Sequence, residues 1–92
     1  MNFQKIEKED ISVLHFPSND VLENEEKRME RNQKLIKASI LGNLEKEKCK
    51  ILFKSDKGLN YVETTIWAVT DKYVCLKGGV AILITSIIEV VL

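Results

Sequence analysis

At Cys49 the spacing of apolar residues changes from that of a helix to that of a strand, and any fold of this chain must place a seam there. In Lys48-Cys49-Lys50-Ile51-Leu52-Phe53-Lys54 the side chains of Cys49, Ile51 and Phe53 point one way and the three lysines mostly the other. Upstream, residues 18–38 carry helical spacing instead. The expected order is therefore a helix first and antiparallel strands after it.

The helix has its signals at both ends. Ser18 and Asn19 are N-cap types, and Pro17 keeps an earlier helix from running in. Asp20, Glu23, Glu25 and Glu26 crowd the first turns, while Arg31, Lys34 and Lys37 crowd the last, as the helix dipole favours. The apolar stripe is thin. Leu22, Met29 and Ile36 recur every seven residues, widened by Val21, Leu35 and Ile40. Such a stripe docks on a sheet or pairs with another helix. Ser39–Leu44 reads as the helix end or as an entering strand, with Gly42-Asn43 breaking it.

Beyond the seam, Asp56-Lys57-Gly58 is a turn. Residues 59–70, with Tyr61, Val62, Thr64, Thr65, Ile66, Trp67, Val69 and Thr70, read as one long strand. Tyr73–Lys77 follows a tight connection at Asp71-Lys72, and Gly78-Gly79 marks a two-residue hairpin. Val80–Ile84 is the next strand, Thr85-Ser86-Ile87 one helical turn, and Ile88–Leu92 a short last strand. Ile11–Phe16 reads as a short strand beside them. The whole is expected to be a single domain over 1–92: an N-terminal extension (1–17), a helix (18–38) and a small, strongly bent antiparallel barrel (39–92).

The last two strands are apolar on both faces, and a bare edge of that kind aggregates. The expectation is that barrel closure and a second copy both cover it, giving a homo-oligomer paired through edge strands. Val80, Ile82, Ile84, Ile88 and Val90 are the interface residues on that reading.

Composition narrows the function classes. An apolar fraction of 45% is that of a globular chain. No apolar run is long enough to cross a membrane as a helix, and residues 1–10 lack the apolar core of a signal peptide, so a cytoplasmic location is expected. Fourteen basic and 14 acidic side chains cancel, which disfavours wrapping nucleic acid by bulk charge. Their distribution is uneven. Residues 31–57 hold eight basic against three acidic side chains, whereas residues 1–30 hold four against eight. A charge cluster of this kind usually only solvates a surface.

One helix followed by five short strands, the last two joined by a helical turn, resembles the small barrels of the Sm-like family, which includes the bacterial RNA chaperone Hfq. Residues 50–91 are similar to that barrel in length and rhythm. Val74-Cys75-Leu76-Lys77 looks like its mid-barrel strand, and Ile84-Thr85-Ser86-Ile87-Ile88-Glu89-Val90-Val91 like its closing turn and strand. Val62-Glu63-Thr64-Thr65-Ile66-Trp67 and Leu76-Lys77-Gly78-Gly79 are also similar to stretches of small bacterial and marine-environment proteins. The resemblance implies a mainly β, five-stranded Sm-like fold and RNA binding. Its RNA-contacting tyrosine-lysine-histidine cluster is replaced here by Ile82-Leu83-Ile84-Thr85, and Lys77-Gly78 stands one hairpin too early for the Sm arginine-glycine pair.

Few residues suggest chemistry. His15 is the single histidine and builds neither a triad nor a metal site on its own. Cys49 and Cys75 lack the spacing of a redox or zinc motif and read as reduced, buried thiols. Glu63 reads as a solvent-facing partner for a lysine. No catalytic residue, metal or cofactor is expected. By strict alternation Tyr61 and Trp67 share a face, with Lys50 and Lys54 on the neighbouring strand. Aromatic faces beside cations hold unpaired bases, while a lone tryptophan more often packs under a helix or in an interface. Two functional readings stand. In one, an oligomeric barrel binds single-stranded RNA or DNA through Lys48, Lys50, Lys54, Tyr61 and Trp67. In the other, the chain is a protein-interaction or structural module, which its neutral charge favours.

Overall fold

The computed structural model describes residues 2–92. Helix α1 spans Glu25–Glu45, seven residues later than the sequence suggests. The displacement has a local cause. Asp20, expected in the first turn, is instead a tether: its carboxylate takes both terminal nitrogens of Arg31 at 2.8 Å and the Leu22 amide at 2.9 Å. The Val21 amide donates to the Thr85 carbonyl at 2.9 Å. With residues 20–22 committed in this way, Asn24 becomes the N-cap, its Oδ1 accepting from the Lys27 amide at 3.2 Å.

The helix also runs through Gly42-Asn43 rather than breaking there. A Cβ at Gly42 would lie 2.5 Å from the Ile66 carbonyl oxygen, so the glycine permits close approach of helix and sheet. Arg31, Leu35, Ala38 and Gly42 form the inward face. Met29 and Ile36, whose spacing suits docking on a sheet or pairing with another helix, do not dock on the sheet and point to solvent.

Strands β1 (Gln4–Lys5), β2 (Cys49–Ser55), β3 (Gly58–Thr64) and β7 (Ile87–Val91) form one sheet in the order β1-β3-β2-β7. Strands β4 (Ile66–Val69), β5 (Tyr73–Leu76) and β6 (Ala81–Leu83) form a second sheet in that order. A short 3-10 turn, Ile84–Ser86, carries the chain from β6 to β7. Alternation in β2 sets Cys49, Ile51 and Phe53 inward. The β5–β6 hairpin turns on Gly78 and Gly79, at φ of 96° and 84°, a region open to glycine at little cost.

The expected fold class is overturned. Helix accounts for 33% and strand for 35% of the chain, which is not mainly β, and the strands make two sheets without closing a five-stranded Sm-like barrel. Two features explain this. The stretch expected as one strand over 59–70 is cut at Thr65, where Thr64, Thr65 and Ile66 are buried in succession, so β3 and β4 enter different sheets. Beside β7, helix α1 takes the place of a further strand. It packs against both β4 and β7, and Arg31 Nη1 donates to the Ile87 carbonyl at 3.1 Å.

The core lies between the sheets and under α1, with Phe53, Ile51, Ile66, Leu76, Ile82, Ile87 and Leu35 fully buried. The segment expected as a strand over Ile11–Phe16 is a 3-10 helix, Lys8–Val13, with an extended tail. Ile11 and Leu14 enter the core from it, and Phe16 meets Phe53 edge-on at 6.0 Å between ring centroids.

Candidate functional site

A groove of about 340 Å³ opens at the C-terminal end of α1. Three separate parts of the chain build it. The helix end and the link after it supply Gly42, Asn43, Lys46 and Lys48, the bend at Thr65 and the start of β4 supply Thr65 and Trp67, and the β5–β6 hairpin supplies Lys77. Backbone geometry holds each in place. Lys46 caps the helix in the left-handed region at φ 56°, its amide donating to the Gly42 carbonyl at 3.1 Å. Asn43 Nδ2 donates to the Trp67 carbonyl at 3.1 Å, tying β4 to the helix. The Lys77 amide donates to the Thr65 carbonyl at 3.0 Å, fixing the hairpin beside the bend.

Trp67 is 49% exposed, so much of its surface is open to solvent instead of being packed under α1. Three ammonium groups share its groove. The ion pairs among the described residues involve Lys27, Arg28 and Arg31 and none of these three lysines. Glu45 and Glu47 flank Lys46 in sequence, and Glu47 lines a much smaller pocket that shares Lys48 with the groove. A flat aromatic surface with three mobile point charges suits a planar, anionic ligand.

The five nucleic-acid residues expected from sequence do not share one surface. Lys48 and Trp67 meet in the groove. Tyr61, Lys50 and Lys54 lie on the four-stranded sheet, because the cut at Thr65 separates Tyr61 from Trp67. There Lys50 Nζ stands 4.8 Å from the Tyr61 ring centroid and occupies a face on which a base would have stacked. Lys50 also pairs in register with Glu63, and Lys54 with Leu59. Lys46 and Lys77 were not singled out from sequence. The signal for Lys77 was its place directly before Gly78-Gly79, and that for Lys46 its membership of the basic stretch 31–57.

The expected interface residues also divide. Ile82, Ile84 and Val90 are buried within the chain, so their side chains belong to the core and are not available to a second copy. Val80 and Ile88 are half-buried. The apolar character of β6 and β7 is thus satisfied largely by intramolecular packing.

His15 is exposed and engaged through its backbone, its amide donating to Asp56 Oδ1 at 3.0 Å. Both thiols are free, with Cys49 buried and Cys75 half-buried. Among the described residues no three His, Cys, Asp or Glu side chains gather as a metal site, and no helix is long and apolar enough to cross a membrane. Compared with models of known families, with curated proteins and with solved structures, the chain matches none.

Proposed function

We propose that this chain is a non-catalytic binding protein that holds single-stranded nucleic acid in the Trp67 groove. The observation that carries the reading is the half-exposed tryptophan among Lys46, Lys48 and Lys77. An exposed aromatic face stacks an unpaired base at about 1–3 kcal/mol, and it does so for any base. The ammonium groups neutralise the phosphates on either side. A groove of about 340 Å³ is at the small end of ligand sites, which run from roughly 300 to 1,000 Å³, and suits one stacked nucleotide better than a duplex. With a net charge of zero, affinity rests on this local cluster and not on the field of the whole molecule.

Trp67 is the single tryptophan, so its emission reports on this groove alone. Titration with an unstructured oligonucleotide at low salt should give saturable quenching, and a duplex of the same length should give much less. Absence of quenching at low salt, or equal quenching by duplex, would overturn the proposal. The protein-interaction reading draws on a different feature, the outer face of α1.

A further inference from the structure

Opposite the inward face of α1, Met29, Ile36, Ile40 and Leu44 are 58%, 55%, 52% and 78% exposed. Isolated apolar residues on a surface are ordinary, but four in a line on one helix are not. With Gln33 included, positions 29, 33, 36 and 40 follow the four-three-four spacing of a coiled-coil seam. The stripe is therefore shaped to receive another helix.

Charge selects which helix. Glu30 and Lys37, seven residues apart, lie on the same flank of the stripe and line one shallow depression with Gln33 and Lys34. Glu25 and Glu26 precede them in the first turn, while Lys34 and Lys37 stand in the middle turns, so the N-terminal half of the stripe is flanked by acids and its middle by lysines. We propose that two copies of this chain associate through the outer faces of α1, laid antiparallel. In that arrangement Met29 meets the partner subunit's Ile40, and Ile36 meets the partner subunit's Gln33. Glu30 lies beside the partner subunit's Lys37, and two-fold symmetry makes this contact twice. A parallel pair would bring Glu25, Glu26 and Glu30 against their own equivalents and repel. Because the sheets pack on the opposite side of α1, the two bodies stand clear of each other. This contact differs from the edge-strand pairing expected from sequence, and it does not depend on the Trp67 groove.

Sedimentation equilibrium of the full chain, up to millimolar concentration, tests the contact. A dimer is expected. Ile36→Glu with Ile40→Glu should give a monomer with an unchanged circular-dichroism spectrum, since both side chains are exposed. Orientation is tested by charge reversal. Glu30→Lys alone, or Lys37→Glu alone, turns two attractions into two repulsions and should weaken association about tenfold. Mixing those two variants should yield a heterodimer, because each then meets the opposite sign at both contacts. A monomer throughout the concentration range would overturn the proposal. So would a dimer indifferent to Ile36→Glu/Ile40→Glu, or a mixture that does not pair.

Discussion

Gly42→Ala is the substitution on which helix propensity and tertiary packing disagree most sharply. In an exposed helix interior this exchange stabilises by about 1 kcal/mol. Here the added Cβ would lie 2.5 Å from the Ile66 carbonyl oxygen and 2.9 Å from Thr65 Cγ2. Ordinary contact begins at 3.4 Å. The threonine methyl can rotate away, but the carbonyl belongs to the backbone of β4 and cannot. Helix and strand must therefore part by about 1 Å. Forcing a methyl into a packed seam costs about 1–3 kcal/mol, and a backbone clash this close belongs in the upper half of that range. Set against the gain in propensity, the net loss is about 1–2 kcal/mol. With an m-value of about 1 kcal/mol/M, the urea midpoint should fall by about 1–2 M. The native emission of Trp67 should shift as well, because Gly42, Thr65 and Trp67 line the same groove. A raised midpoint would refute the reasoning and with it the seating of α1 on β4.

The tether between Asp20 and Arg31 should be asymmetric. Asp20→Ala leaves a guanidinium only 4% exposed without its carboxylate and should cost about 3 kcal/mol, whereas Arg31→Met, whose orphaned acid is within reach of water, should cost nearer 1 kcal/mol; denaturation midpoints in the reverse order would contradict this. Burial disfavours charge on Asp20, but the hydrogen bond from Arg31, the Leu22 amide and the charges of Arg31 and Arg28 outweigh it and hold the carboxyl below its usual range. Its contribution to stability is therefore present above about pH 4 and lost as pH falls through the lower folded value, so the acid limb of a stability-pH curve should flatten in Asp20→Ala. Burial pushes the Cys49 thiol up to about 11. That folded value lies above the unfolded one of about 8.5, so the contribution is complete below the latter and lost as pH rises through the former. Near pH 8, about half a unit below that unfolded value, a thiol reagent followed by mass spectrometry should modify Cys75 well before Cys49, and equal rates would contradict the burial.

Much of the β portion was legible because alternation is a local property. The inward set of Cys49, Ile51 and Phe53, the turn at Asp56-Lys57, the Gly78-Gly79 hairpin and the helical turn before the last strand all follow from neighbouring residues. What was not legible depends on distant partners. Ser18 and Asn19 look ready to cap a helix with Asp20 in its first turn until Arg31 claims Asp20. Gly42 looks like a helix breaker until Ile66 is known to press against it. The cut at Thr65 is hidden among β-branched neighbours that all favour strand, and it decided both the fold class and the separation of Tyr61 from Trp67. In the candidate site, Lys48 and Trp67 were both singled out from sequence, although alternation favoured no exposed face for Trp67 and a lone tryptophan reads more readily as packed under a helix or in an interface. Lys46 and Lys77 were not, since only the packing of α1 on β4 brings a helix end and a hairpin to one groove.

The salt dependence of Trp67 quenching by an unstructured oligonucleotide tests the proposed role of the groove most directly. If all three lysines meet phosphates, log K should fall with log salt at a slope of about −2, and Lys77→Gln should reduce that slope by about 0.7. A slope near zero, or one that Lys77→Gln leaves unchanged, would contradict the account.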